Sequence, residues 1–337
     1  MSEQWRLWLV LFVTIFFCLA VSEWTLRSLG YEARPAMADD LQEPTMNEED
    51  PILGWKSKAG RYRYPAYDGS EEEVTVTILR DGDRATRRTG NPAGPDIVLL
   101  GGSFTLGAAI SDRETFGWKL QSRFPSLNLR NFGVAGYGTF QSLLLFEQTL
   151  GQTEVPPRLA IYGLIGHHEA RNVGGYEWGN FLSRFSRRGH VDLPYARIDE
   201  QGRLVRYPPV SYADGPLVRA FATVYAVRRL YHTLRDSELA QQKRSVTLRL
   251  ILELRETCAC SGCELLVVAL DIGSAQQRDY PSFAAESGIR YVDCTYWGNE
   301  SGMSVPDEGH PSGALHTIWA DCIGDMVEEI LGSEIEP

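Results

Sequence analysis

Hydrophobic and polar positions along the chain follow three patterns. Residues 7–22 read LWLVLFVTIFFCLAVS, an uncharged apolar run bracketed by Trp5 and Trp24. Between Glu73 and Leu79, Val74, Val76 and Ile78 alternate with Thr75 and Thr77, the period of a half-buried strand. From residue 96 the pattern changes to short continuous apolar runs separated by segments of helical period. The runs at 97–100, 127–131, 159–165, 264–270 and 289–292 predict buried strands. The segments at 112–124, 139–150, 245–257 and 312–331, and one beginning at Pro216, predict helices. Strands and helices alternating in this way imply βαβ units, and hence a parallel sheet with helices on both faces. Residues 173–215 interrupt the alternation and predict an insertion or long loop rich in Gly, Arg, Tyr and Pro, a segment type that is often functional.

These patterns divide the chain into an N-terminal membrane anchor (1–24), a polar linker (25–49), an extension with a hairpin (50–95) and a main α/β domain (96–333) carrying the 173–215 insertion. From Trp5 to Trp24 the span just suffices for a hydrocarbon core, which needs about 20 residues. A cleaved signal peptide is the competing reading, disfavoured by a poor cleavage context near Ala20. Arg6 and the terminal amine before the span place the N-terminus in the cytoplasm, and the body outside it, periplasmic or extracellular.

Composition narrows the partners. The 337-residue chain carries a formal net charge of −11, which excludes nucleic acid as an expected partner, since such binding needs a basic face. Six cysteines in a chain of this length do not form a disulfide scaffold. Cys258, Cys260 and Cys263 cluster as CACSGC, but a structural zinc site takes four ligands, so no metal is expected.

Chemistry concentrates at two places. Ser103 lies in GGSFTLG (101–107), directly after a predicted strand, where parallel sheets place ligands. The glycines allow a sharp turn that presents the hydroxyl. No Lys-Ser/Thr follows, so a phosphate-binding P-loop fails, and Thr105 breaks the G-x-S-x-G elbow. His310 lies in VPDEGHPSG, three residues after Asp307. A carboxylate on Nδ1 would fix the imidazole tautomer while Nε2 faces a nucleophile. Ser312 is a plausible N-cap for the last helix. Backbone N–H groups of Ser103 and of Gly136, in NFGVAGYG, are candidate oxyanion donors.

Together GGSFTLG, NFGVAGYG, YGLIGHHEARN (162–172) and DEGHPS resemble, in that order, the blocks of the SGNH (GDSL-like) hydrolase superfamily. DPILGW (50–55) and the apolar N-terminus resemble a bacterial, membrane-anchored branch of it. The resemblance implies a flavodoxin-like three-layer α/β/α sandwich with a central parallel sheet, and hydrolysis of an ester, often an acyl group on a carbohydrate or lipid. It implies Ser103 as nucleophile, His310 and Asp307 as base and orienter, and no cofactor. Two departures stand out. Gly102 replaces the family's Asp, and the third block lacks its Asn, leaving His167 and His168 in that stretch. His168 is the expected substitute donor to the oxyanion. His167 and Arg171 are expected to face the substrate, although Arg171 also suits an ion-paired surface position. Besides an esterase, the residues admit an O-acyltransferase acting on an envelope polysaccharide and a non-catalytic glycan-binding protein.

Overall fold

The computed structural model describes residues 3–33, 45–67, 72–87, 96–183, 185–186, 190–213 and 215–332. Residues 34–44 of the expected linker and 88–95 of the expected extension lie outside these residues. The described chain falls into two compact units.

The larger unit holds a five-stranded parallel sheet: β1 (Ile97–Gly101), β2 (Leu129–Asn131), β3 (Leu159–Ile165), β4 (Glu264–Asp271) and β5 (Arg290–Asp293). Their order across the sheet is β5-β4-β3-β1-β2. This is the doubly wound 2-1-3-4-5 order, with its topological switch point between β1 and β3. Side chains alternate across the sheet. Ile97, Leu99, Ile161, Leu266 and Val268 pack with Phe116, Leu120, Trp319, Ile323 and Val327 of the Phe116–Arg123 and Gly313–Leu331 helices. The next residues in register point to the other face, where Val267 meets Ile251, Tyr280 and Ala284 of the Ser237–Cys260 and Ser274–Ser287 helices. The architecture is therefore the expected α/β/α sandwich.

Several boundaries agree closely with the sequence reading. The helix at Thr139–Leu150 and the strand at Leu159–Ile165 stand where the apolar periods place them. Ser312 caps the last helix by accepting the Leu315 N–H. The insertion differs from the expected loop. It contains the Tyr176–Ser183 helix and an antiparallel pair, His190–Ile198 with Leu204–Ala213. The Ser274–Ser287 helix is absent from the predicted elements, because Pro281 and a run of polar residues hide its period. Helix Pro216–Ala220 ends at Phe221 and a second, Ala222–Arg235, follows. A disulfide joins Cys294 to Cys322, pinning the end of β5 to the last helix.

The extension contributes two hairpins, Asn47–Asp50 with Gly54–Ser57 and Gly60–Pro65 with Glu73–Ile78. In the second, Val74, Val76 and Ile78 are buried against Tyr62 and Tyr64. The smaller unit contains the N-terminal helix, Glu3–Ser28. At 26 residues it is about 39 Å long, enough to cross a bilayer core of about 30 Å. Among the described residues it is the one helix long and apolar enough to do so.

Candidate active site

Ser103 opens a four-residue helix, Ser103–Leu106, at the carboxyl end of β1. Gly101 has φ +150°, and an added Cβ there would meet the Thr105 side chain and Gly163 carbonyl, so only glycine turns the chain at this point. Ser103 itself is 5 % exposed. The helix ends at Gly107, in the left-handed region with φ +78°.

Arg84 holds this turn from behind. Its guanidinium is fully buried and donates to the carbonyls of Leu106 (2.7 Å), Gly107 and Ile110 (2.6 Å), and to Asp112 Oδ1 (3.1 Å). Burial pulls its pKa down, opposed by Asp112. The sequence pattern puts Arg84 in the extension, after the alternating Val74–Ile78 segment, and gives no hint of this role. An arginine within DGDRATRR carries no visible sign that it will be buried.

The Gly133–Gly138 loop lies beside the serine turn. Val134 N–H donates to the Gly101 carbonyl (3.1 Å). Asn131 ties the two segments, donating through Nδ2 to the Thr105 carbonyl (2.9 Å) and accepting the Gly133 N–H (2.9 Å). Gly136 takes φ +86°. Trp55, from DPILGW, braces the loop: its Nε1 donates to the Ala135 carbonyl (3.0 Å), and its ring meets Tyr137 edge-on at 5.5 Å.

After β3, the short His168–Asn172 helix brings two side chains to Gly102. A Cβ added at Gly102 would lie 2.9 Å from His168 Nε2, 3.1 Å from Arg171 Nη1 and 3.1 Å from the Tyr137 carbonyl. Gly102 has ordinary extended φ of −92°. Space, rather than backbone strain, excludes a side chain, which accounts for glycine where the resembling family has Asp. Arg171 Nη1 also donates to the Tyr137 carbonyl (2.8 Å). Burial pulls its pKa down to about 10, opposed by Tyr162. Arg171 is therefore drawn into the site and is not a solvated surface residue. His167 is exposed, and nothing in the structure connects it to Ser103.

His168 is fully buried, and its Nε2 has no hydrogen-bond partner. Burial first, then the charge of Arg171, holds its pKa well below 6.5, so the ring is neutral at pH 7. Its Nδ1 lies 2.6 Å from the Tyr162 hydroxyl. That hydroxyl donates to Thr139 Oγ1 (2.7 Å), which also accepts from Asn172 Nδ2 (3.0 Å). Nε2 faces Gly102, and the expected role of His168 as oxyanion donor requires the tautomer in which Tyr162 donates to Nδ1. The next residue, Glu169, anchors the segment by accepting from Arg244 (3.0 Å), Gln276 (2.9 Å) and Tyr280 (3.1 Å).

His310 reaches the serine turn through Phe104. The Phe104 ring lies 5.8 Å from the imidazole, edge-on, and 5.9 Å from the Trp319 ring, stacked. The residue on His310 Nδ1 is not Asp307. Glu308 occupies that place, with Oε1 at 2.6 Å and Oε2 at 2.8 Å, and Oε2 also accepts the His310 N–H (2.9 Å). Asp307 is exposed and has φ +59°. It serves a tight turn in which Val305 N–H donates to the His310 carbonyl (2.7 Å) and Gly309 N–H to the Val305 carbonyl (3.0 Å). Asp tolerates the left-handed region better than Glu does, so the turn takes Asp307 and frees Glu308 to fold back on the ring. Burial would raise the Glu308 pKa, but His310 outweighs it and holds the carboxyl below its usual range. Tyr67 lies near this carboxylate; burial and the Glu308 charge raise its pKa. Among the described residues no cluster of three metal-ligating side chains occurs.

No family model matches the chain, and no curated protein does either. Solved structures do match. The chain is similar to esterases of the G-D-S-L type. One is the psychrotrophic esterase EstA from Pseudoalteromonas sp., 10% identical, with a TM-score of 0.42, covering 70% of this chain and 98% of its own. A member of the lipolytic protein G-D-S-L family from Veillonella parvula is 13% identical, with a TM-score of 0.39, covering 68% and 96%. Axe2, an acetylxylan esterase from Geobacillus stearothermophilus, is 13% identical, with a TM-score of 0.37, covering 72% and 96%. At these values the functional reading rests on the geometry of the site itself.

Proposed function

We propose that the chain is a membrane-anchored serine esterase of the SGNH type whose hydrolytic site is Ser103, His310 and Glu308. The observation that carries this reading is a strand-end serine next in the chain to Phe104, whose ring lies 5.8 Å from a histidine with its Nδ1 held by a carboxylate. His310 Nε2 takes the Ser103 proton as Oγ attacks the ester carbonyl carbon. Glu308 holds the imidazolium that forms. The tetrahedral oxyanion faces the N–H groups of Ser103 and Gly136 and the Arg171 guanidinium, with His168 Nε2 beside them at Gly102. Collapse breaks the bond to the alcohol, which leaves with the proton from His310. Water, deprotonated by His310, then releases the acyl group from Ser103.

The substrate is an acylated carbohydrate or lipid outside the cytoplasm. The apolar Glu3–Ser28 helix supports anchoring, with the N-terminus in the cytoplasm. The Cys294–Cys322 disulfide supports an oxidising compartment for the body. The test is reaction of the purified chain with a fluorophosphonate probe and with p-nitrophenyl acetate. Labelling and turnover are expected for the natural chain and lost in Ser103→Ala. Labelling retained in Ser103→Ala would overturn the reading.

A further inference from the structure

Within the smaller unit, the Ala222–Arg235 helix exposes a continuous apolar stripe. Val227, Leu230, Tyr231 and Leu234 are each between 59 and 67 % exposed. Their spacing, i, i+3, i+4 and i+7, puts them on one face of the helix. Just upstream, Leu217 and Phe221 are exposed as well. The opposite face already has its partner: the Tyr176 ring stacks on His232 at 3.8 Å and lies under the Arg228 guanidinium at 5.3 Å. The outward stripe is therefore not an incompletely packed core face. A row of large apolar side chains facing water marks an interaction surface.

What faces it follows from how the helix begins. Its first N–H groups have no partners within the helix. The Glu23 carboxylate takes them, accepting from Ala222 N–H (3.0 Å) and Thr223 N–H (2.9 Å). Arg27 donates to the Ala220 carbonyl (2.9 Å), and Ser22 and Thr223 share a hydroxyl contact (3.2 Å). Residues 22–27 are where the uncharged run of the N-terminal helix ends and Glu23, Trp24 and Arg27 begin. If that helix spans a bilayer, these residues mark the exit from the hydrocarbon, where interfacial aromatics and charges sit. The amphipathic helix thus starts at the depth of the membrane surface. Its charge suits that position. Residues 216–235 carry Arg219, Arg228, Arg229 and Arg235 and no acidic residue, in a chain of net charge −11, with Arg229 paired to Glu177 (3.7 Å) and Arg235 to Asp236 (3.0 Å).

We infer that the Ala222–Arg235 helix lies on the surface of the membrane that the N-terminal helix crosses. Its apolar stripe sits among the acyl chains at headgroup depth, in the manner of interfacial amphipathic helices. The inference rests on the anchor reading above and goes beyond it: the smaller unit meets the bilayer along two helices, one across it and one on it.

The test uses the full chain reconstituted in vesicles of phosphatidylcholine and phosphatidylglycerol. A photoreactive benzoylphenylalanine is placed at Leu230, at Phe12 of the N-terminal helix, or at Arg203, an exposed turn residue between the two strands of the insertion. After irradiation, lipid adducts are counted by mass spectrometry. Position 230 is expected to give adducts at a level near that of position 12 and about tenfold above position 203. Adducts at 12 but not at 230 would overturn this inference and leave the anchor standing. Crosslinks from 230 to a second copy of the chain, in place of lipid, would also overturn it. Absence of adducts at 12 would overturn the anchor reading and the inference with it.

Discussion

Ser103 and His168 sit at the carboxyl ends of neighbouring strands and are both buried, whereas His310 and Glu308 sit on a loop before the last helix and are both partly exposed. The two halves of the site are held by different means. On the strand side, each position is fixed several times over. Arg84 grips the carbonyls behind the serine turn, Asn131 ties that turn to the next loop, and the chain from Asn172 through Thr139 and Tyr162 holds the His168 ring in place. On the loop side, His310 depends on one carboxylate and on the Phe104–Trp319 stack. Buried polar networks tolerate little change, because each unpaired member carries its full desolvation cost. On the loop side a single carboxylate, two residues before the histidine, holds the ring.

Substitutions on each side probe this contrast. The largest effect is expected at the loop, where function hangs on few groups. His310→Ala should lower kcat/KM on p-nitrophenyl acetate by on the order of 10⁴-fold with the melting temperature nearly unchanged. On the strand side, activity and structure should fail together. Arg171→Met should cost about 10²- to 10³-fold in kcat, the loss typical of one oxyanion donor. Gly102→Ala should cost about 10²-fold, because the new Cβ displaces His168 and Arg171. An unchanged kcat in Gly102→Ala would show that the wall around this glycine does not matter.

Two further expectations concern stability. Arg84→Met leaves Asp112 and several carbonyls without their buried partner and should cost about 3–5 kcal/mol. Thermal or urea unfolding measures it, and a loss under about 1 kcal/mol would contradict the account. Smaller still is a pH effect. Burial pushes the His316 pKa down to about 3, and its Nδ1 accepts the Phe116 N–H (3.1 Å). His168 is shifted in the same direction. A histidine with a depressed folded pKa binds fewer protons folded than unfolded. Its contribution is complete above the unfolded value of about 6.5 and is lost as pH falls toward the folded value. Stability should therefore fall from pH 6.5 to pH 5, by up to about 1.4 kcal/mol per pH unit for each histidine. In His316→Gln that slope should be shallower.

The contrast also separates what the sequence discloses from what it hides. The strand ends were legible, because a buried apolar run ending in glycines has few other uses, and Ser103 follows directly. The last helix and its Ser312 cap were legible for the same kind of local reason. The acid was not. Asp307 and Glu308 are adjacent, and the choice between them depends on a left-handed turn at Asp307 that only the folded loop reveals. The surroundings of His168 were hidden because they are built from Tyr162, Thr139 and Asn172, scattered over more than thirty residues of sequence. Arg84 and Trp55 were hidden because their partners come from other segments. The Ala222–Arg235 helix had a readable apolar face, but period alone does not tell a face that meets a core from one that meets solvent or lipid.

The most direct test of the site compares two neighbouring carboxylates. Glu308→Gln and Asp307→Asn are each assayed for kcat/KM with p-nitrophenyl acetate across pH 5 to 9. The geometry predicts a loss on the order of 10²-fold or more for Glu308→Gln, since the imidazole loses the group that sets its tautomer and stabilises its charged form. For Asp307→Asn, where asparagine keeps the left-handed turn, it predicts a change of less than about threefold. The reverse order, with Asp307→Asn inactive and Glu308→Gln near normal, would contradict the account.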